Sequence, residues 1–226
     1  MEDRLSVIVP VYNEAKILAG FFEQLAIFSK DTEIIFVDGG SSDNTLEIIK
    51  NRGFKFVQGE MGRGRQINLG IYNSSGDKIL ILHSDTFFKK NPEENIKSTL
   101  EKYKIGCFSL EFIEKSLGLK MVARNSSRRV KYRNIAFGDQ GMFFRKEYFY
   151  SLGHFKNIDF MEDYDFSIRV KENGDRIKLL DQKIYTSGRR FIENGLWKTI
   201  ITMQKAQSMY RRGKSVEEIR EIYRLS

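Results

Sequence analysis

The 226-residue sequence has one cysteine, Cys107, which excludes an intrachain disulfide. It sits in an apolar run from Ile105 to Phe112 with no activating neighbour, so a buried, inert thiol is expected. A lone cysteine is compatible with a reducing compartment, and a cytoplasmic location is expected. Only two prolines occur, so no proline-rich linker divides the chain. No window approaches 18 uninterrupted apolar residues, which argues against a membrane-spanning helix. The N-terminus enters a strand-like run at Leu5 with no basic region before it, so no signal peptide is expected. Repeats and low-complexity stretches are also missing. Two nucleotide-binding signatures are absent: no G-x-x-x-x-G-K-[ST] occurs, and Gly62-Arg63-Gly64 fails as a dinucleotide fingerprint because Ile67 stands where the third glycine belongs.

What remains has the composition of a folded globular chain, 41% hydrophobic, 13% aromatic and 30% charged. The formal net charge of +8 is regional. Residues 115–133 carry seven Lys/Arg and no acid, and residues 197–226 carry seven more against three acids. A basic face follows rather than a generally basic protein. A nucleic-acid module would use such cations, but no recognition motif accompanies them and the carboxylate-rich strand ends would repel nucleic acid, so none is expected as a partner.

Strand-like runs at 5–9, 33–37, 54–58 and 78–82 alternate with helical patterns at 14–29, 44–52 and 64–73, the signature of a covered parallel sheet. Asn91-Pro92-Glu93-Glu94 reads as a helix start with Pro at the first helical position. The second half is more mixed. Strands are expected at 105–112, 141–145 and 176–180, and helices at 163–173, 195–212 and from Ser215. The 115–133 segment reads as a helix whose cations face an anionic acceptor, a membrane surface or simply water. Leu196, Ile200, Met203, Gln207 and Tyr210 have helical spacing and are expected to pack on the body of the protein.

In open α/β sheets ligands bind beyond the carboxyl ends of the strands. Here those ends are Pro10-Val-Tyr-Asn-Glu14, Asp38-Gly-Gly-Ser-Ser-Asp43, Gly59-Glu-Met-Gly-Arg-Gly-Arg65 and His83-Ser-Asp85-Thr86. Glycines and arginines at the start of a helix suit a phosphate, with Arg63 and Arg65 adding charge, although a solvated turn has the same look. Asp85 at the sheet rim suits a hard divalent ion shared with phosphates. His83, two residues earlier, points the same way in an extended chain, as a manganese ligand or as a pocket-lining imidazole.

Together, Ser6–Glu14, Val37–Asp43 and Leu82–Asp85, followed by Gly138-Asp-Gln-Gly141, Met161-Glu-Asp163 and Ser187-Gly-Arg-Arg-Phe191, resemble the family 2 glycosyltransferases of GT-A fold, in particular a bacterial subfamily of largely unassigned substrate. The resemblance implies an α/β domain over 1–191, with a donor half to about 104 and an acceptor half beyond it, and a helical extension over 192–226. It implies transfer from a nucleoside-diphosphate sugar, UDP-sugar favoured, with inversion and with Mn2+ or Mg2+. Pro10, Tyr12, Glu14, Asp38 and Ser84 would serve the donor, Asp85 and His83 the metal, and Asp163 the base, with Glu162 and Asp165 as rivals. Asp139, Gln140, Arg189 and Arg190 would meet the acceptor or its phosphate. A lipid-phosphate acceptor and peripheral membrane contact fit the basic segment. Two departures stand out: Asp38 is followed by Gly39 where many members have a second acid, and His83 replaces the first acid of Asp-x-Asp. A sugar-phosphate nucleotidyltransferase, the nearest enzymatic rival, lacks its expected glycine-rich N-terminal loop here.

Overall fold

Uninterrupted apolar runs require burial on both faces, and β1 (Leu5–Val11) is buried at all seven positions. The computed structural model describes residues 3–224. In it β1 lies within an eight-stranded sheet with β2 (Glu33–Asp38), β3 (Lys55–Gln58), β4 (Lys78–Ile81), β5 (Thr86–Phe87), β6 (Ile105–Phe112), β7 (Phe143–Arg145) and β8 (Lys178–Thr186), in the order β3-β2-β1-β4-β7-β6-β8-β5. β3, β2, β1 and β4 run parallel. β7 enters antiparallel between β4 and β6, and β8 returns parallel to β6. The register sets Val11 beside Asp38 and Asp38 beside Gln58, so three strand ends share one edge.

The period of two along β1 divides the core into two layers. Leu5, Val7, Val9 and Val11 face one cluster, joined by α1 (Ala15–Leu25), α2 (Thr45–Asn51) and α4 (Glu93–Lys102). Ile8 faces the other, joined by α3 (Arg63–Tyr72), α6 (Lys146–Ser151) and α7 (Glu162–Glu172). Helix α4 begins one residue later than its sequence suggests: Pro92 precedes it, and Asn91 caps it by accepting from the Glu93 amide at 2.8 Å. The basic segment forms α5 (Leu117–Arg133), with Ser116 accepting from the Leu119 amide.

Short elements were invisible to periodicity. β5, α6 and α8 (Arg189–Glu193) have too few residues to display a period, and β8 runs six residues past the expected end at 180. At the C-terminus, α9 (Leu196–Arg211) and α10 (Val216–Arg224) bring Ala206 and Ile219 against Ile135, Met161 and Tyr164. Tyr210 donates to Asp165 at 2.6 Å and Arg220 to Asp159 at 2.9 Å, so this segment is bound to the turn that opens α7. No helix among the described residues is long and apolar enough to cross a membrane. Cys107 is fully buried, and burial pushes its thiol well above the ordinary range.

Candidate active site

The ends of β1 and β2 are stitched into one surface. Asn13, in the left-handed region at φ 55°, accepts from the Ser42 amide at 2.8 Å and donates its own amide to Ser41 at 2.9 Å. The Glu14 amide donates to Thr45 at 2.8 Å. Beneath them Gln66 of α3, buried, donates to the carbonyls of Val11 and Val37 at 2.8 and 2.9 Å. Sequence reading missed Gln66. Its signal was a polar residue beside Ile67 in the buried part of a helix, a place it shares with Asn68. Asp38 is only 1% exposed and accepts from the Gly40 and Ser41 amides, so it shapes its own turn. Pro10 is buried within β1, whereas Tyr12, 42% exposed, lies open beside this surface.

Beyond β4 the chain does not stay extended. Thr86 donates its amide and its hydroxyl to the His83 carbonyl at 3.0 and 2.8 Å, closing a turn at Ser84 and Asp85. This corrects the expectation that His83 and Asp85 point the same way, which holds only for extended backbone. Asp85 lines a cleft of about 240 Å³ together with Arg63, Gly138, Asp139, Asp163 and Arg190, and His83 does not. The His83 ring lies behind Gly138, where an added Cβ would stand 2.5 Å from Nε2. Its Nε2 is buried without a partner, and burial, followed by the Arg63 charge, depresses its pKa to about 3. Asp85 reaches solvent through the cleft mouth, yet the protein around it desolvates its carboxyl enough to raise it above the usual range. Glu14, hydrogen-bonded to Ser84, is raised by burial and by the charge of Asp85.

Across the cleft, the left-handed Met161 (φ 69°) turns the chain into α7 and sets Glu162 and Asp163 in its first turn. Asp163 accepts from the Gly138 amide at 2.7 Å and the Tyr164 amide at 2.6 Å, one bond to each oxygen. Glu162 is 1% exposed, with Oε1 3.4 Å from Arg63 Nε and Oε2 without a partner. Burial raises its carboxyl to about 7, against the opposing pull of Arg63. Asp139 also has a buried oxygen without a partner, and burial raises it to about 6 despite nearby Arg129.

Several residues expected at the site are occupied elsewhere. Asp165 receives Lys156 and Tyr210 at 2.6 Å and Arg169 at 2.8 Å. Burial works to raise its carboxyl, but these bonds hold it below the usual range, which makes it an anchor and a poor base. Arg65 turns away from the cleft to Asp159 at 2.6 Å and the Met61 carbonyl at 3.0 Å. Gln140 is wholly buried. Its side-chain oxygen accepts from Arg129 at 2.7 Å, so it braces the 135–140 loop and offers no group to a ligand. The Arg189 side chain is 78% exposed, with Glu193 3.8 Å away, but its charge still acts on Asp85 and Glu14, so it stays at the edge of the site. Among the described residues no group of three or more His, Cys, Asp or Glu side chains is placed to hold a metal unaided.

Residues 6–161 match the profile of the family described as Glycosyl transferase family 2. The chain is 35% identical over 108 residues to a poly-beta-1,6-N-acetyl-D-glucosamine synthase of Staphylococcus epidermidis, a match covering 39% of this chain and only 26% of that protein. The mannosyltransferase PcManGT from Pyrobaculum calidifontis, solved with GDP-Man and Mn2+, superposes with a TM-score of 0.70 at 16% identity, over 92% of this chain and 64% of that one. S. aureus TarS 1–349, solved with UDP, superposes with a TM-score of 0.65 at 21% identity, over 81% and 60%. These two likenesses establish the GT-A fold. With the family match spanning most of the sequence, the chain belongs to glycosyl transferase family 2.

Proposed function

We propose that the protein transfers a sugar from a nucleoside-diphosphate sugar, UDP-sugar favoured, to an acceptor hydroxyl with inversion at the anomeric carbon. The observation that carries this reading is the meeting of Arg63, Asp85 and Asp163, from three separate elements, in one cleft. Tyr12 and the surface stitched by Asn13 receive the nucleoside, with Asp38 holding the turn beneath it.

Displacement of the diphosphate needs cations at the leaving oxygens and a base at the entering one. Arg63 and Arg190 supply protein charge on the phosphate side. A divalent ion fits the donor set as a shared site, because Asp85 provides one accessible carboxylate, desolvated enough to gain from a cation, and a diphosphate supplies further hard oxygens. When bound, Mn2+ or Mg2+ would neutralise charge on the leaving diphosphate. His83 stays out of that set, its nitrogen turned to Gly138. Asp163 takes the acceptor proton as the new carbon–oxygen bond forms. The carbon–phosphate-oxygen bond breaks at the same time and its electrons leave with the nucleoside diphosphate. The two backbone amides fix the carboxylate and leave lone pairs directed elsewhere for that proton. Glu162, behind it, holds Arg63.

Calorimetric titration with UDP, GDP, CDP and ADP, each with and without Mn2+, on wild type and Asp85→Ala tests the donor site. Saturation by one nucleotide, weakened by omitting the ion or by losing Asp85, is expected. Absence of binding by all four would remove the reading.

A further inference from the structure

A second cavity, of about 500 Å³, adjoins the cleft. Phe112, Phe137, Asp139, Phe191, Met203 and Gln207 line both, so a ligand occupying one reaches the other. Its outer walls belong to α5 and α9. Val122 and Ile200 extend the apolar surface, and Arg128 and Arg133 bring two exposed cations to it. Neither arginine has an ion-pair partner among the described residues. Arg129, between them, is different: it donates to the Ile135 carbonyl at 3.3 Å and to Gln140 at 2.7 Å, with the Phe137 ring 3.6 Å from its guanidinium. It is a fixed floor, and its two neighbours are available. At the junction with the cleft sits the buried, partnerless oxygen of Asp139, an acceptor without a donor.

These features ask for three things at once. Aromatic and aliphatic walls favour an apolar segment, at roughly fourfold in affinity per buried methylene. Unpaired guanidinium groups favour a phosphate or carboxylate. The Asp139 oxygen favours a hydroxyl donor. A neutral sugar would leave both arginines unused and the apolar walls wet. The wall from α9 lies outside the family match, which ends at residue 161, so this part of the pocket belongs to the chain's own C-terminal segment.

We propose that this cavity is the acceptor site and that the acceptor is an anionic amphiphile. Its hydroxyl lies near Asp163 and Asp139, its apolar segment against Phe112, Phe191, Ile200 and Met203, and its anionic group at Arg128 and Arg133. The assignment rests on the transferase reading and deepens it.

The test is a calorimetric titration of the whole chain with decyl phosphate, octyl phosphate, decyl maltoside and inorganic phosphate, alongside UDP with Mn2+. Decyl phosphate is expected to saturate, with octyl phosphate roughly fifteenfold weaker, as two methylenes require. Inorganic phosphate and the neutral maltoside should not saturate. Ile200→Trp, which fills the outer wall, and Arg133→Glu, which reverses a cation, should each weaken decyl phosphate by about tenfold or more and leave UDP binding unchanged. If Ile200→Trp loses UDP as well, it is misfolded, and the exposed Arg133→Glu decides. The same probe is offered free and in phosphatidylcholine vesicles: saturation free marks a soluble acceptor, and saturation only on vesicles marks a lipid headgroup. A wild type that binds UDP but decyl phosphate in neither form overturns the proposal while sparing the donor site, as do isotherms unchanged in both variants. A wild type that fails to bind UDP counts against the transferase reading instead.

Discussion

Asp38, Asp43 and Glu33 of the donor half and the acids around the cleft share a chemistry and live in opposite conditions. Asp38 and Asp43 are saturated: Asp38 accepts from the Gly40 and Ser41 amides, and Asp43 from the Thr45 amide at 3.0 Å and the Ala15 amide at 3.2 Å. Glu33, although burial opposes it, is held down to about 2 by Lys55, Ser6 and Ser75. Around the cleft, by contrast, burial wins and raises Glu162, Asp139 and Asp85. Among the described residues, the buried side-chain polar atoms without a partner are His83 Nε2, Asp139 Oδ1 and Glu162 Oε2, and all three belong to residues ringing the cleft or lying behind its wall. Leaving such groups unmet costs about 1–3 kcal/mol each, which a scaffold avoids and a binding site tolerates. Saturation therefore separates acids that build the fold from acids that await a ligand.

Asp163 puts that division under the greatest stress, since it accepts two amide bonds yet faces the cleft. Asp163→Asn removes the base and, because its NH2 cannot accept, also gives up one of the two amide bonds, so kcat should fall by about a thousandfold with nucleotide affinity intact. A loss in affinity with kcat preserved would return Asp163 to the scaffold. Next comes the pair Asp85 and Asp38. Asp85→Ala should weaken metal-dependent nucleotide binding by roughly a hundredfold and leave Tm unchanged, because a bridging ion contributes several kcal/mol. Asp38→Ala should do the reverse in emphasis, stranding amide donors and lowering Tm by about 5 °C. Equal Tm losses in the two would erase the distinction. Smaller again is Gly138→Ala, whose Cβ would stand 2.5 Å from His83 Nε2 and 3.5 Å from Asp163 Oδ2. Overpacking there should cost about 1–3 kcal/mol and lower kcat along with stability. His83→Ala in the same background should recover part of both.

The donor half was legible because its signals are local. Continuous apolar runs gave four parallel strands, and polar strand ends gave one edge of the site. The acceptor side was less legible because its geometry comes from contacts far apart in sequence. Arg65 and Arg63 are indistinguishable as letters two apart, yet one turns to Asp159, 94 residues on, and the other lines the cleft. Gln140 sits in a motif that resembles a ligand contact, but Arg129, 11 residues away, takes its oxygen. The His83 turn follows from Thr86 bonding back to a carbonyl, which a two-residue spacing rule cannot anticipate. The cavity between α5 and α9 had no sequence signature beyond charge and helical spacing.

The finest test of the division is pH. Glu162 goes from an ordinary 4.5 to about 7 in the folded chain, so between those values the native state holds a proton that the unfolded chain has released. Stability contributed by that proton is complete below pH 4.5, falls as pH rises, and levels off above about 7. Asp139, raised from 3.8 to about 6, adds a loss of the same sign over a lower window. Wild-type Tm should therefore drop by a few degrees between about pH 5 and 8. Glu162→Gln cannot release a proton and should remove the part of the slope above pH 6, leaving the lower part to Asp139. Glu33 behaves oppositely: lowered to about 2, it contributes stability above 4.5 that is lost only as the pH falls towards 2. A Glu162→Gln protein whose Tm still declines like wild type from pH 6 to 8 would mean that Glu162 is already ionised against Arg63. The cleft acids would then be no different in kind from those that hold the donor strands.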